Sequence, residues 1–343
     1  MRRAAIASIL AIACVTGAAA LEAKQGLVKV VVNELTGRLS EYRLVDVAKG
    51  RYESFLFDQD SRTTFASLNA DGRVYKLGDA SEFRISSATT DTGVKIEFRS
   101  SSFVVRELAD FESSDGAALA DGLRITFEIE NISEHEAALG LRYLVDTWLG
   151  EKSGTHFVTD KRPRQATEAL IATADADAWV ETPGDLANFM IQLSGPGVDR
   201  PDKAILANWK RLSDAPWAFD VNPQRNFTLV PYSINDSAVA LYWEPITVAR
   251  GATRRVSFSM GNFNDKGYPA QTGETPTEQI FASTVLGAGT PDEATSMAAD
   301  LVSVRDLITR IDRALASGAA ISDDELATWR KILDRLEERM KGY

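Results

Sequence analysis

The side chains that could do acid–base chemistry are few, and the best of them lie in one loop. The chain has only two histidines. His156 lies within five residues of Glu151 and of Asp160, and a histidine beside carboxylates can act as a general acid or as a ligand. No second histidine stands near enough for metal-ligand spacing, so we predict no metal and no cofactor. His135 falls in a predicted turn, where we expect a solvated side chain.

Other arrangements that perform catalysis are missing from the sequence. There is no Ser-His-Asp arrangement, no nucleophile elbow and no phosphate-binding glycine loop. Fragments that resemble calcium loops, such as Asp175 with Asp177, do not complete the twelve-residue ligand pattern. The sequence therefore favours a protein that is not an enzyme.

Residues 1–20 have the features of a secretory signal peptide. Two arginines precede an apolar run that ends at Val15, and three alanines close the segment at Ala20. We therefore predict export to the periplasm or the cell surface. The alternative is a lipid anchor at Cys14, the only cysteine of the chain.

The composition narrows the choice of partners. The net charge is −11, and an acidic surface repels phosphate backbones, so we expect no nucleic-acid partner. No segment after the signal is long and apolar enough to predict a transmembrane span.

The stretch between residues 123 and 150 has the clearest period in the chain. Leu123, Ile125, Phe127 and Ile129 alternate with polar residues, and the alternation resumes at Leu139 after a polar break. We predict an antiparallel pair of strands here, the second of them central in its sheet. Similar strands and turns recur along the chain. The sequence therefore predicts a mainly β protein, with a large antiparallel β-sandwich domain, or two smaller sandwiches, over residues 21–261.

The C-terminal part of the chain has a different period. Residues 262–289 are rich in Gly, Pro and Thr and are predicted to be a linker or docking segment. Thr290 and Ser322 begin two capping boxes, each followed by an apolar stripe of the coiled-coil a/d kind. We predict an antiparallel helical hairpin over residues 290–343. Leu307 and Trp329 widen the stripes, so apolar surface remains for the protein's own sandwich or for a protein partner.

The tryptophans of the β body allow a second interpretation. Aromatic side chains can stack on sugar rings, although a sandwich also needs large apolar side chains in its core. Trp217 lies in an irregular loop between two acidic residues, and we expect it to be the most exposed of the group. It is therefore the best candidate for carbohydrate binding.

Three stretches carry a resemblance to known proteins. Residues 141–151, 201–209 and 236–245 read LRYLVDTWLGE, PDKAILANW and DSAVALYWEP, and together they resemble exported bacterial β-sandwich proteins of unassigned function. The large sandwich also looks like the supersandwich of galactose-mutarotase-like proteins. That resemblance implies a histidine acid and a glutamate base facing a sugar, for which this chain offers His156 with Glu151 or Glu244.

Two hypotheses follow. The first is a non-catalytic structural or protein-interaction component of an extracytoplasmic assembly, docking through the helical hairpin. The alternative is a carbohydrate-binding or mutarotase-like protein that acts on a sugar.

Overall fold

The computed structural model describes residues 20–57, 62–117, 119–175 and 177–269, together with scattered helical positions between 304 and 338. The predicted signal peptide up to residue 19, with its Cys14, and the predicted linker from residue 270 onward lie outside these residues. Across the described segments, no helix is both long and apolar enough to cross a membrane.

Antiparallel strands make up most of the described chain. In chain order they are β1 (Ala20–Gln25), β2 (Val28–Asn33), β3 (Arg38–Asp46), β4 (Arg51–Ser54), β5 (Phe65–Ala70), β6 (Arg73–Lys76), β7 (Arg84–Thr89), β8 (Gly93–Arg99), β9 (Phe103–Glu112), β10 (Gly122–Asn131), β11 (Ala137–Asp146), β12 (Val158–Thr159), β13 (Ala169–Ala172), β14 (Trp179–Thr182), β15 (Phe189–Gln192), β16 (Lys203–Asn208), β17 (Ser237–Val248) and β18 (Thr253–Asn262). Helix α1 (Leu149–Ser153) follows β11, and helix α2 (Trp209–Asp214) follows β16.

Within the described residues the strands form three antiparallel sheets. β1 to β4 make a four-stranded sheet in sequence order. The eight-stranded sheet has the order β12-β14-β15-β18-β10-β9-β8-β7, and the six-stranded sheet has the order β13-β16-β17-β11-β5-β6. The predicted mainly β, antiparallel sandwich class is confirmed.

Aromatic side chains fill the space between the eight-stranded and six-stranded sheets. The rings of Phe127 on β10 and Phe258 on β18 each have their centroid 5.5 Å from that of Tyr143 on β11. Phe258 also stacks on Trp243 of β17, again at 5.5 Å. Alternation in each strand directs every second side chain into this interior, so the two sheets share one core.

The prediction that the strands around residues 123–131 and 139–145 pair with each other is wrong. β10 pairs with β9 and β18, whereas β11 pairs with β5 and β17. The polar segment between them therefore carries the chain from one sheet to the other. A two-residue period shows that a strand is covered but does not specify its partner. The predicted central position of the second strand is confirmed.

The four-stranded sheet packs its apolar face on the same core. Val28, Val30 and Val32 of β2 are fully buried there. Gly37 joins β2 to β3 with φ +64°, and a Cβ at this position would lie 2.8 Å from the ring of Phe98. Only glycine allows this turn to approach the sandwich so closely.

Little of the predicted helical hairpin over residues 290–343 falls within the described residues, and those positions are helical. Leu307 and Trp329 are 5% and 9% exposed, so both are buried. Ile308, Leu326 and Leu333, which belong to the same predicted stripes, are exposed. Docking through this segment stays a prediction. The exposed apolar residues are Ile308, Leu326 and Leu333, whereas Leu307 and Trp329, which the sequence suggested, are buried.

Candidate functional site

Three carboxyl groups meet at one end of the six-stranded sheet. Asp146 ends β11, Glu151 lies in α1, and Asp236 directly precedes β17. β11 and β17 are paired, with Asp146 opposite Ala238, so the end of one strand lies beside the start of the other. One carboxyl oxygen of each acidic residue lies within 4.8 Å of the others. We call Asp146, Glu151 and Asp236 the acidic corner.

Ser237 links the acidic corner to His156. Its backbone N–H donates to Glu151 Oε1 at 2.7 Å, and its Oγ lies 2.9 Å from His156 Nδ1. Thr147 Oγ1 donates to the Ser237 carbonyl oxygen at 2.8 Å. Because Ser237 is fully buried, its hydroxyl connects two groups and is not a nucleophile open to a substrate.

His156 is held in place and kept neutral. Its ring packs against Phe227 with the centroids 4.7 Å apart, and the residue is 8% exposed. Burial, together with the nearby charge of Arg164, lowers the pKa of His156. The imidazole is therefore neutral at neutral pH and cannot donate a proton as an imidazolium would. Its role is to orient Ser237.

Glu151 is the group at the corner that carries a dissociable proton at neutral pH. Burial raises its pKa to about 9, the bond from Ser237 opposes the rise, and the charges of Asp146 and Asp236 add to it. Burial also raises the pKa of Asp236. Glu151 and Asp236 are both partly exposed, so a ligand can reach two neighbouring carboxyl groups, of which Glu151 holds its proton at neutral pH.

The same three carboxyls could supply part of the oxygen shell of a hard cation. Ca²⁺ takes six to eight oxygen ligands, including carboxylates and waters. Cation binding would require Glu151 to lose its proton. Proton donation by Glu151 and cation binding therefore exclude each other at the acidic corner.

Asn208 fixes the segment that carries Asp236. Its Nδ2 donates to the carbonyl oxygens of Phe227 and Asp236 and to Ser233 Oγ, at 2.9, 3.1 and 2.9 Å. Asn208 is fully buried, so the bonds hold the segment before any ligand arrives. Three apolar side chains of the segment before Asp236 face solvent and are between 71% and 75% exposed: Val230, Tyr232 and Ile234.

Glu244 lies away from the acidic corner. It is seven residues beyond Ser237 on β17, which corresponds to roughly 23 Å along an extended strand. Its Oε1 accepts from Lys203 Nζ at 2.6 Å, and its Oε2 accepts from Trp217 Nε1 at 3.1 Å. Burial would raise the pKa of Glu244, but these two bonds outweigh it and lower the value. The alternative pairing of His156 with Glu244 is not formed.

Trp217 is half-buried and does not offer an open platform. Its ring packs edge-on against Tyr242, with the centroids 5.5 Å apart, in addition to the bond to Glu244. The loop around it covers the outer face of the six-stranded sheet, where Arg142 donates to the carbonyls of Ala215 and Pro216 at 2.5 and 3.4 Å. The exposure that we expected for Trp217 is therefore only partial.

Sequence reasoning found two members of the site and missed three. Glu151 and His156 stood out because they are close in sequence. Asp146, Asp236 and Ser237 became part of the site only through the pairing of β11 with β17. One signal was available, because all three acidic residues fall in two of the stretches that carried the family resemblance, residues 141–151 and 236–245.

Comparison with known proteins finds likeness in structure alone. No family model matches the chain, and no curated protein matches it. A galactose mutarotase-like protein from Lactobacillus casei is 10% identical, over 71% of this chain and 100% of its own, with a TM-score of 0.41. A putative aldose 1-epimerase from Escherichia coli K12 is 11% identical, over 71% and 99%, with a TM-score of 0.43. A polysaccharide lyase is 12% identical, over 72% and 34%, with a TM-score of 0.41. With scores below 0.5, these likenesses carry no argument about function, which depends on the site itself.

Proposed function

We propose that the protein binds a sugar at the acidic corner and exchanges protons with it. The observation that carries this proposal is the convergence of three carboxyl oxygens within 4.8 Å, with Glu151 protonated at neutral pH. Sugar hydroxyls both donate and accept hydrogen bonds. A carboxylic acid beside carboxylates offers both complements in one place.

The proton transfer that such a set supports is the interconversion of the anomers of a reducing sugar. Glu151 gives its proton to the ring oxygen, while Asp236 takes the proton of the anomeric hydroxyl. The bond from the anomeric carbon to the ring oxygen breaks, and the anomeric carbon becomes a carbonyl. After rotation about the next carbon–carbon bond, the reverse transfers close the ring. The protons balance, so the reaction proceeds with these two groups alone.

These roles differ from those implied by the family resemblance. That resemblance implies a histidine as the acid and a glutamate as the base. Here His156 is neutral and bonded to Ser237, whereas Glu151 keeps its proton. We therefore assign Glu151 as the acid, Asp236 as the base and His156 as a positioning residue. Burial raises the pKa of both carboxyls, to about 9 for Glu151, and the assignment of Glu151 as the acid follows from this large rise.

Polarimetry tests this proposal. Freshly dissolved aldoses are followed with and without protein, beside a glycan array that detects binding. We expect at least one sugar to equilibrate faster, and Glu151→Gln and Asp236→Asn each to slow it by about 10²- to 10⁴-fold. Glu136→Gln, at an exposed position, is the matched control and should behave like the wild type.

Three outcomes are informative. Binding without turnover would restrict the function to sugar recognition. No binding and no turnover with any sugar would remove the proposal. Turnover that is unchanged in both variants would move the chemistry away from the acidic corner.

A second candidate is docking on a protein partner through the C-terminal helices. The observation that favours it is the exposure of Ile308, Leu326 and Leu333 at stripe positions, since exposed apolar stripes on helices serve as contact surfaces.

We also propose that the protein is exported, which mass spectrometry of the mature N-terminus would test. A chain that begins at residue 21 supports cleavage of the signal, a lipid on Cys14 supports the anchor, and an intact Met1 contradicts both.

A further inference from the structure

One strand of the four-stranded sheet places charge where its neighbours are apolar. Leu39, Glu41 and Arg43 of β3 are two residues apart and so point to the same side, toward the sandwich. Opposite them, the register of β2 places three core residues: Val32, Val30 and Val28. Glu41 and Arg43 therefore lie opposite apolar residues of β2.

The carboxyl group of Glu41 has no partner in this interface. The residue is fully buried, and neither Oε1 nor Oε2 has a hydrogen-bond partner. Nη1 of Arg43 is likewise buried without a partner, so no bond between the two satisfies both. A lone buried carboxylate is costly, and such a group stays protonated instead. Burial first, and then the charges of Asp121 and Glu112, raise the pKa of Glu41 well above its ordinary range.

Titratable groups from each neighbouring element surround this position, and carboxyls outnumber cations among them. Arg124 does not offset the charge of an ionised Glu41, because its guanidinium is already paired with Glu112 at 3.0 Å. The groups that act on Glu41 or share its surroundings are Arg43 on β3, Glu107 and Glu112 on β9, Asp121 before β10, Tyr143 on β11, and Tyr268. Above about pH 8, where Glu107 is also ionised, an ionised Glu41 would therefore meet more negative charge than positive charge.

The four-stranded sheet can respond to that charge as a unit. It consists of the contiguous residues 20–54, and in the described structure none of its strands pairs with a strand of the other two sheets. Beside the packing of side chains, Leu27 N donates to the Ala120 carbonyl at 2.7 Å, and Arg38 of β3 donates to Asp79 Oδ1 at 2.6 Å and to the Leu77 carbonyl at 3.4 Å. Packing against a newly charged interface is weakened, whereas the ladders inside each sheet are left intact.

We propose that the contact between the four-stranded sheet and the sandwich is a proton-dependent latch, closed when Glu41 is neutral and opened when Glu41 loses its proton. Opening uncovers the apolar face formed by Val28, Val30 and Val32. The latch uses none of the three carboxyls of the acidic corner, but it adjoins them, because Lys152 Nζ in α1 donates to Glu53 Oε1 of β4 at 2.8 Å.

Hydrogen–deuterium exchange of the full chain tests the latch. Protection of β2 and β3 is compared with that of β10 from pH 5.5 to pH 10, after correction for the intrinsic rise of exchange with pH. In the wild type, protection of β2 and β3 should fall relative to β10, by about tenfold per pH unit above the pKa of Glu41. Glu41→Gln removes this ionisation, so its relative protection should fall less steeply than that of the wild type, leaving only the contribution of other carboxyls at the interface such as Glu107, whereas Glu136→Gln should follow the wild type.

Two outcomes would overturn the latch. One is a loss of protection in Glu41→Gln that parallels the wild type. The other is equal loss in all three strands of the wild type, which would indicate global unfolding. If Glu41→Gln does not fold, carbon-13 NMR of the wild-type glutamate carboxyls replaces it. A Glu41 carboxyl that titrates in the ordinary range near pH 4.5 would also refute the proposal.

Discussion

Replacement of Glu107 by Gln offers the sharpest test of the buried electrostatics. Glu107 on β9 is 3% exposed, and its Oε1 accepts from Tyr143 Oη over a long 3.3 Å. It borders a cavity of about 10 Å³ that is also lined by Tyr143, which is close to the least volume that holds one water. Burial raises the pKa of Glu107 to about 8, although the bond from Tyr143 opposes this.

The sign of the effect follows from the raised value. The folded protein holds the proton of Glu107 up to about pH 8, whereas the unfolded chain releases it near 4.5. The stability contributed by this group is complete below pH 4.5 and is lost as the pH rises toward 8. At about 1.4 kcal/mol per pH unit, the loss between pH 5 and pH 8 is on the order of 3 to 4 kcal/mol.

Glu107→Gln keeps the shape of the side chain and its acceptor for Tyr143 but cannot ionise. Urea unfolding, followed by tryptophan fluorescence at pH 5, 6, 7 and 8, should therefore show a shallower fall of the unfolding free energy with pH than the wild type. The difference between the two proteins should change by about 3 kcal/mol over that range. Glu136→Gln should reproduce the wild-type slope. Equal slopes for Glu107→Gln and the wild type would refute the reasoning.

Three further variants test other contacts. Asn208→Ala removes the three bonds donated by Nδ2 and the bond that Oδ1 accepts from Arg211 N, and it should cost about 2 to 4 kcal/mol in urea unfolding. Hydrogen exchange of residues 226–236 that stays slow in this variant would contradict the role of Asn208 as the anchor of that segment. Arg142→Met removes the guanidinium from the carbonyls at the C-terminal end of α2. It should make the following loop a preferred site of limited proteolysis, whereas an unchanged cleavage pattern would show that packing alone holds the loop. Leu326→Lys together with Leu333→Lys should leave the melting temperature within a few degrees and abolish capture of a cross-linked partner; a large fall in melting temperature would instead place these side chains in the fold.

The strands could be predicted from the sequence because alternation is a local property. The turn at Asp71 and Gly72 is equally local, because an Asp-Gly pair favours the positive φ that such a hairpin requires, 52° and 83° here. Helix α2 was missed, because residues 204–209 were predicted to be a strand and residues 212–222 an irregular loop, and six residues are too few to show a helical period. Its start depends on Asn208, whose side chain accepts from Arg211 N, and a single asparagine at the end of a strand does not reveal this role.

The site was only half visible for a different reason. Glu151 and His156 are neighbours along the chain, so their closeness was readable. Asp236 reaches them only because β17 pairs with β11, and the sequence contains no local signal for that pairing. The protonation of Glu151 was also hidden, since it arises from burial and from two carboxyls brought in by the fold.

The partnership of β10 with β18 has a consequence for how the chain folds. Gly122 lies opposite Gly261, and Glu130 lies opposite Thr253. β10, in the middle of the eight-stranded sheet, therefore pairs with a strand that lies more than 120 residues later in the chain. Closing so large a loop is slow, because its entropy is lost before the contacts form. Until residues 253–262 are made, β10 presents an unpaired apolar edge that can recruit another chain. Chains that end before residue 253 should therefore aggregate, and the yield of folded protein should fall steeply with concentration during refolding.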